Sequence, residues 1–400
     1  MKEPEVKPST KEKDVVGLVN EIANGRMSRR QFIERGLVMG LSVSALGTIL
    51  AACGRKTQSV STATLPPMVT TKPKTLNLFN WSDYMAPAVK KGFQKTTGIS
   101  VNETYFADNE SLLAKLKLGA TGYDVIVPSD YMVHIMLMSN LIQPLDMKYI
   151  PNYDKYVAPL FKDPPYDKPS ENHGMKYSTP FQWGVTGIAV RKDKMTDPIS
   201  KWSDLWNTKY KDQIDMLDDE REDLGAALKM LGYSYNSKSQ SELDAATQKL
   251  IQQKPIVRTY DNTNMKRAIA SGLWLTMCWN GDCLMALDEM GGTKALSMVS
   301  WVLPAEGYGR FVDNMAIPTG ANSRYAAHLF LDYCLDPKIQ AELVNYIWYN
   351  SPVPDSRQYT DPFALTLVPS DADLQRSENF NDLGAFATNY ATAWRSFKSA

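Results

Sequence analysis

The chain has 400 residues, enough for two domains with full hydrophobic cores, and its 44% hydrophobic and 22% charged residues are typical of a globular protein. Its 44 basic and 44 acidic residues balance, so no basic excess indicates a nucleic-acid partner. Composition excludes few other classes of function, so the function has to be inferred from motifs in the sequence.

The first predicted element is an export and anchoring signal over residues 1–52. Arg29 and Arg30 form a twin-arginine pattern, which is followed by an uncharged segment with scattered Gly and Ser. The run Leu-Ala-Ala-Cys that ends at Cys53 resembles a lipobox, in which small residues admit the peptidase before a cysteine that becomes lipidated. We therefore expect export by the twin-arginine route and a lipid anchor on Cys53. A signal anchor with an incidental cysteine is the alternative.

The mature chain is predicted to begin with a flexible tether over residues 53–74, since this segment is rich in Ser, Thr and Pro and poor in large apolar side chains. The folded body then starts near Thr75. Its cysteines, Cys278, Cys283 and Cys334, are odd in number and cannot pair completely. We interpret them as small buried residues, although Cys278 and Cys283 could bridge if a turn brought them together.

From Thr75 onward, short apolar strands alternate with helices in two successive units. The first unit is predicted to contain strands at 76–80, 99–105 and 125–127 and helices near 86–95 and 111–118. The second is predicted to contain strands at 183–190, 275–279 and 310–318 and helices near 224–231, 324–334 and 337–348. The alternation predicts an α/β fold of two lobes, each a mainly parallel sheet flanked by helices, with ligands at the carboxyl ends of the strands.

Aromatic and acidic residues lie near the ends of these strands. Two strands are followed by similar short sequences. The first consists of Trp81, Ser82, Asp83 and Tyr84, and the second of Ser129, Asp130 and Tyr131. The later strands and helices add Trp279, Asp282, Phe311, Asp313 and Tyr349. Any one of these residues is more often a core residue or a helix cap. The prediction of a site therefore depends on their coincidence.

Asp219 and Glu222 are three residues apart in an acidic run that precedes an apolar helix. This spacing is typical of a capping box, and acidic residues at a helix N-terminus are favoured by the helix dipole. From the residues alone, capping is the preferred interpretation, with ligand binding as the alternative.

The combination of carboxylates and rings favours one class of ligand. A phosphate binder would use bare N–H groups with Ser, Thr or Arg, and a metal site would use oxygen or imidazole ligands without rings. The histidines His134, His173 and His328 are widely scattered, so neither a metal nor a cofactor is expected. Organic ammonium groups on an alkyl chain suit the set, because carboxylates accept their N–H bonds and aromatic faces cover their methylenes.

At these residues the chain resembles the spermidine/putrescine-binding proteins of polyamine ABC transporters, from about Thr75 almost to the C-terminus. The motifs that carry the resemblance are NWSDY, YDVIVPS, DDERE, WNGD, FVDNMAIP and WYNSP, which occur in this order. The resemblance places ligand contacts at Trp81, Ser82, Asp83, Tyr84, Ser129, Tyr131, Asp219, Glu222, Trp279, Asp282, Phe311, Asp313 and Tyr349. It thus favours ligand binding over capping for Glu222, and less directly for Asp219. Asp130 matches no ligand position, and we expect it to cap the helix that begins after Ser129.

The resemblance implies a two-lobed clamp of the periplasmic-binding-protein type (type II). One lobe would comprise 75–183 and 314–349, and the other 184–313 and 350–400. The implied protein is not an enzyme. It would be a monomeric lipoprotein of the periplasm or cell surface that passes putrescine or spermidine to ABC transporter permease subunits. The alternatives are the same clamp with another solute, such as a sugar or an iron complex, and a secreted hydrolase with paired acids. Features of both putrescine- and spermidine-preferring branches occur, so the amine stays open.

Overall fold

The computed structural model describes residues 65, 67–169, 171–172, 174–262 and 264–400. The predicted leader with Arg29, Arg30 and Cys53, and the first part of the tether, lie outside the described residues. Within the described ranges, none of the helices combines the length and apolar character needed to cross a membrane.

The strands and helices alternate as the sequence predicts. The strands are β1 Thr75–Trp81, β2 Ser100–Phe106, β3 Val125–Ile126, β4 Ser178–Arg191, β5 Ile214–Met216, β6 Val257–Tyr260, β7 Leu275–Trp279, β8 Val299–Val302, β9 Tyr308–Ala316 and β10 Ser377–Asn379. The helices are α1 Pro87–Thr97, α2 Asn109–Lys117, α3 Asp130–Met138, α4 Pro151–Tyr156, α5 Glu220–Met230, α6 Gln240–Gln253, α7 Met265–Ser271, α8 Asn280–Glu289, α9 Arg324–Cys334, α10 Pro337–Ile347, α11 Asp371–Leu374 and α12 Ala387–Ser399. Every strand and helix predicted from the sequence has a counterpart here.

The strands form one mixed sheet with two parallel wings. The order is β2-β1-β3-β9-β4-β7-β5-β6, with β10 beside β9 and β8 beside β4. The first wing (β1 to β3) and the second wing (β5 to β7) are parallel within themselves, as predicted. The strands β4 and β9, in contrast, run antiparallel to each other and to the wings that they join. The sheet is therefore mixed at its centre, where two long strands cross between the wings.

Strand β4 belongs to both parts of the sheet. All 14 of its residues are buried. It pairs with β9 over Ser178–Val185 and then with β7 over Thr186–Val190. The change of partner makes β4 the structural link between the two wings.

In each wing, the carboxyl ends of the parallel strands are followed by loops and helix N-termini. Asp108 caps α2 after β2, and Asp219 caps α5 after β5. At the other end of the chain, Asp336 caps α10, and Pro337 is its first residue. These caps fix where each helix begins, and they thereby set the positions of the side chains that precede it.

The core confirms the interpretation of the cysteines. Cys278, Cys283 and Cys334 are buried free thiols. In α5, Leu224, Ala227 and Leu228 lie on one helical face and are buried in a cluster formed with α6 and α12.

Candidate functional site

The candidate site contains two buried carboxylates and one partly buried carboxylate, and Asp313 in β9 is the first of them. Its side chain is 6% exposed. The hydroxyl of Ser129 donates to Oδ1 and that of Tyr84 donates to Oδ2, both at 2.7 Å. Burial raises the pKa of Asp313 to about 6, although the two hydroxyl bonds favour the anion. Each carboxylate oxygen still has a lone pair for a further N–H donor.

Asp282, in the first turn of α8, is the second carboxylate. Its Oδ2 accepts a hydrogen bond of 2.8 Å from the hydroxyl of Tyr349. Burial raises the pKa of Asp282, while the Tyr349 bond and the charge of Lys266 oppose that rise. The close approach of Tyr349 depends on Gly281, because a Cβ at this position would lie 2.6 Å from the tyrosine ring.

Glu222 in α5 is the third carboxylate, and it is 3% exposed. Its Oε1 accepts hydrogen bonds from the Thr186 hydroxyl at 2.6 Å and from the Trp279 indole at 2.8 Å. Its Oε2 is buried and has no hydrogen-bond partner in the described part of the chain. Burial, and next to it the charge of Asp219, raises the pKa of Glu222 to about 8.

A row of four aromatic rings connects the three carboxylates. Successive ring centroids are 5.9 Å apart for Tyr84 and Tyr349, 5.7 Å for Tyr349 and Phe311, and 6.3 Å for Phe311 and Trp279. All three contacts are edge-to-face. Gly184 in β4 leaves the space for Phe311, since a Cβ there would lie 2.4 Å from its ring. The structure thus brings together residues from β4, β7, β9, α5 and α8 and from three loops, which follow β1, β3 and α10.

Trp81 and Tyr131 are each joined to a neighbouring segment by a hydrogen bond. The Trp81 indole donates to the carbonyl oxygen of Val127 at 2.9 Å, which ties the end of β1 to the segment before Ser129. The Tyr131 hydroxyl donates to Glu110 at 3.1 Å. Both side chains are partly buried, and each is held by its hydrogen bond in a fixed position.

Asp219 and Glu222 have different contacts in the ligand-free protein. Asp219 caps α5, because its side chain accepts the N–H bonds of Arg221 and Glu222. Capping is thereby confirmed for Asp219. Glu222 does not complete a capping box, since its bonded oxygen accepts from Thr186 and Trp279. The charge of Asp219 nevertheless acts on Glu222.

Ser82 and Asp83 are not joined to the row. Both side chains are exposed, and Ser82 donates to Asp83 at 3.4 Å. Asp83 has a φ of 55°, a left-handed conformation that Asp and Asn tolerate better than most residues. These two residues therefore form a turn before α1, at the edge of the candidate site.

Asp130 differs from Asp83 despite the similar letters around it, and the prediction that it caps α3 is wrong. Ser129 occupies the N-cap position, and Asp130 is the first residue of the helix. Asp130 is completely buried, and its Oδ1 accepts the N–H of Tyr131. Burial raises the pKa of Asp130 well above its usual value. Helix α3 starts directly at the aspartate, whereas a turn separates Asp83 from α1.

Four residues near the site were not predicted from the sequence. Asn109 contacts Ser129, Thr186 contacts Glu222, and the rings of Phe380 and Tyr390 face the guanidinium of Arg221. Phe380 also comes close to Gly309 beside Glu222 Oε2. Asn109 offered one signal, since it follows the second strand in the same way as the predicted residues follow theirs.

The arrangement suits cation binding better than catalysis or metal coordination. The three carboxylates accept hydrogen bonds from neutral hydroxyl and indole donors, and none forms a salt bridge with Lys or Arg among the residues that the structure describes. In the same part of the chain, no group of His, Cys, Asp and Glu side chains is placed to hold a metal ion. A cavity of about 370 Å³ lined by Arg310 and Val312 lies on the other face of β9 and does not include the row.

Comparisons with known proteins agree with this chemistry. A family model described as bacterial extracellular solute-binding protein matches residues 88–371. The spermidine/putrescine-binding periplasmic protein of Escherichia coli (strain K12) is 32% identical over 332 residues, which cover 81% of this chain and 92% of that protein. The match extends over nearly the whole body that the structure describes.

Solved structures show the same fold. The TpPotD lipoprotein of Treponema pallidum superposes with a TM-score of 0.73 at 28% identity, covering 81% of this chain and 99% of that one. The spermidine/putrescine ABC transporter substrate-binding protein PotD of Streptococcus pneumoniae gives a TM-score of 0.71 at 26% identity, covering 82% and 99%. The chain therefore belongs to the bacterial extracellular solute-binding protein family, has the two-lobed α/β clamp of periplasmic binding proteins, and is a binding protein rather than an enzyme.

Proposed function

We propose that the protein captures a polyamine, putrescine or spermidine or both, outside the cytoplasmic membrane and delivers it to an ABC transporter. One observation carries the proposal: the carboxylates of Asp313 and Glu222, which are buried, and of Asp282, which is partly buried, are spaced along a continuous row of aromatic rings. The relatives named for spermidine and putrescine support the same ligand class.

Each part of the row would meet a different part of a polyamine. The ammonium groups would donate to carboxylate oxygens, and charge-assisted bonds of this kind are stronger than those between neutral groups. The methylenes would lie against the aromatic faces, which also attract the cationic ends. Glu222 Oε2 is the best-placed acceptor, because it is buried without a partner in the described residues.

Polyamine binding would also change the protonation of the site. With a pKa of about 8, Glu222 is mostly protonated at pH 7 in the ligand-free protein, whereas Asp313, at about 6, is mostly ionised. An ammonium group beside Glu222 favours its anion. Binding near neutral pH should therefore release protons, and calorimetry in buffers of different ionisation enthalpy would measure how many.

The proposed ligand class is tested by thermal shift with putrescine, spermidine, spermine, maltose, phosphate and ferric citrate. A ligand at about 100 times its Kd stabilises the protein by about 2.7 kcal/mol, which is readily measured. We expect only amines to raise the Tm, and the larger rise among them identifies the preferred one. A rise with maltose alone would support a sugar as the solute, and a rise with ferric citrate alone would support an iron complex.

The lobe boundaries expected from the sequence, 75–183 with 314–349 and 184–313 with 350–400, are part of the proposal. The change of partner of β4 at Val185 and Thr186 supports a boundary there. If the lobes close around an amine, small-angle scattering should show a smaller radius of gyration with the amine than without it. The same data, taken over a range of concentrations, test whether the protein is a monomer.

Export and anchoring are the remaining part of the proposal. We propose that Arg29 and Arg30 direct the chain to the twin-arginine route and that Cys53 carries the lipid. The TpPotD protein of Treponema pallidum is itself a lipoprotein, which supports the anchor. Replacing both arginines by lysine should block export, and Cys53→Ala should give a form without the lipid. A Cys53→Ala protein that still incorporated labelled lipid would rule out anchoring through this cysteine.

A further inference from the structure

Asn109 is the first residue of α2 and contacts Ser129 of the candidate site. Its side chain is 6% exposed, and it contacts Ser129 through both ends of its amide. The amide Oδ1 accepts the backbone N–H of Ser129 at 3.1 Å, and Nδ2 donates to Ser129 Oγ at 3.0 Å. Because a backbone N–H can only donate, the amide oxygen has to face it, and the amide nitrogen then faces the hydroxyl.

This orientation gives the Ser129 hydroxyl a single direction. A serine hydroxyl has one proton and rotates to suit its partners. Since Oγ accepts from Asn109, its own proton is left to donate to Asp313 Oδ1, 2.7 Å away. The result is a relay of donors from Asn109 through Ser129 to the Asp313 carboxylate, in which each bond polarises the next.

We infer that Asn109 is a positioning residue of the ligand site: it aims the Ser129 hydroxyl at Asp313 and so maintains Asp313 as the anion that an ammonium group requires. The inference rests on the proposed function for its consequence in binding. The relay itself is a property of the ligand-free protein and can be tested separately.

The binding test is a double-mutant cycle of Asn109→Ala and Ser129→Ala, measured by titration calorimetry with putrescine. We expect Asn109→Ala to weaken binding about five- to tenfold, the effect of one hydrogen bond, and to have less than about a twofold effect when Ser129 is already alanine. Asn109→Asp should weaken binding at least as much, because a carboxylate would accept the Ser129 hydroxyl proton and turn it away from Asp313. Equal losses from Asn109→Ala in both backgrounds would overturn the inference.

Asn152→Ala is the matched control for a loss of stability alone. The Asn152 amide donates to Asp332 at 3.0 Å, away from the site. This variant should lower the Tm of the protein without changing its affinity for putrescine. If Asn109→Ala changed only the Tm in the same way, its role would be structural and the inference would fail.

The ligand-free test follows the carboxyl carbon of Asp313 by ¹³C NMR, with its signal identified by its loss in Asp313→Asn. Burial holds the pKa of Asp313 at about 6, and the Ser129 bond lowers it. Without Asn109 the titration midpoint should therefore move to higher pH, and Ser129→Ala should move it in the same direction. An unchanged midpoint in Asn109→Ala would overturn the inference. If wild type bound no amine, the proposed function would fail, while this titration would still decide whether Asn109 positions Ser129.

Discussion

Replacing Asp313 by asparagine removes a negative charge and nearly preserves the shape of the side chain. The carboxylate is 6% exposed and accepts hydroxyl protons from Ser129 and Tyr84. Both hydroxyls can rotate, so the variant should fold. Its effect on binding should be large, because the loss of a charge-assisted bond costs about 1.5 to 3 kcal/mol, or about 10- to 150-fold in affinity.

Asp130→Asn is the matched control, since Asp130 is at least as deeply buried and begins a helix that packs against β9. Its Oδ2 has no partner among the described residues, and burial raises its pKa well above the usual value. Asparagine has nearly the same shape, and its Oδ1 can accept the Tyr131 N–H that Asp130 Oδ1 accepts. We therefore expect Asp130→Asn to change the affinity less than about threefold, for this reason and not because the residue caps α3.

Titration calorimetry at pH 7.5, with the amine that gives the largest thermal shift, compares the affinities of Asp313→Asn and Asp130→Asn with that of wild type. At this pH Asp313, with a pKa of about 6, is ionised in wild type, so the substitution removes a full charge. Equal losses in the two variants, or a normal affinity in Asp313→Asn, would refute the assignment of the ligand carboxylate. A circular dichroism melt of each ligand-free variant would show that the comparison is made between folded proteins.

Further predictions concern Glu222, Gly281 and Asp83. The pKa of Glu222 in the folded protein, about 8, exceeds its ordinary value of 4.5. The free energy of unfolding of the ligand-free protein should therefore fall as pH rises from about 4.5 to about 8. Glu222→Gln should remove this fall, as measured by urea unfolding. The same variant should weaken amine binding most at alkaline pH, where wild-type Glu222 is ionised. Gly281→Ala should displace the Tyr349 ring and cost about 1–3 kcal/mol of stability, whereas Gly320→Ala, whose nearest neighbour would be a side-chain atom at 3.4 Å, should be nearly neutral in thermal unfolding. Asp83→Asn keeps a residue that tolerates the left-handed turn, and it should weaken binding only a few-fold at low salt, an effect that added salt abolishes in the same calorimetric titration.

Much of the fold could be predicted from short-range patterns, and the omissions have identifiable causes. The strands of the first wing, and β7 in the second, were found because each is a short apolar run bounded by turn residues, whereas the short strands β5 and β6 were not predicted. Helix α6 was overlooked, although Leu243, Ala246 and Leu250 are spaced as a helical face and are buried. The antiparallel course of β4 and β9 was not predictable from alternation, because it depends on which strands become neighbours across the whole sheet.

The site was predictable in composition and less so in its contacts. Carboxylates and rings could be found at strand ends, because parallel strands bring those ends to one edge. The hydroxyl partners of the carboxylates could not, since the bond from Tyr84 to Asp313 joins residues far apart in the chain. Similar letters around Asp83 and Asp130 also concealed different backbones, an exposed left-handed turn in one case and a buried helix start in the other.

The choice of donors around the carboxylates explains why such a site would remain open to a cation. Burying a carboxylate is costly, and a lysine or arginine partner would offset that cost but would also neutralise the charge. Here the partners are the hydroxyls of Ser129, Tyr84, Tyr349 and Thr186 and the indole of Trp279. These donors stabilise the anions without neutralising them, so at a pH above the pKa of each carboxyl group, about 6 for Asp313 and about 8 for Glu222, its negative potential persists in a poorly solvated space, where charge interactions are strong. The nearby cation of Arg221 donates to Asn236 and the Asn381 carbonyl oxygen, and its guanidinium faces the rings of Phe380 and Tyr390. A ligand that supplies ammonium groups would thus provide the positive charges that no lysine or arginine in the described part of the chain brings to these carboxylates as a salt-bridge partner.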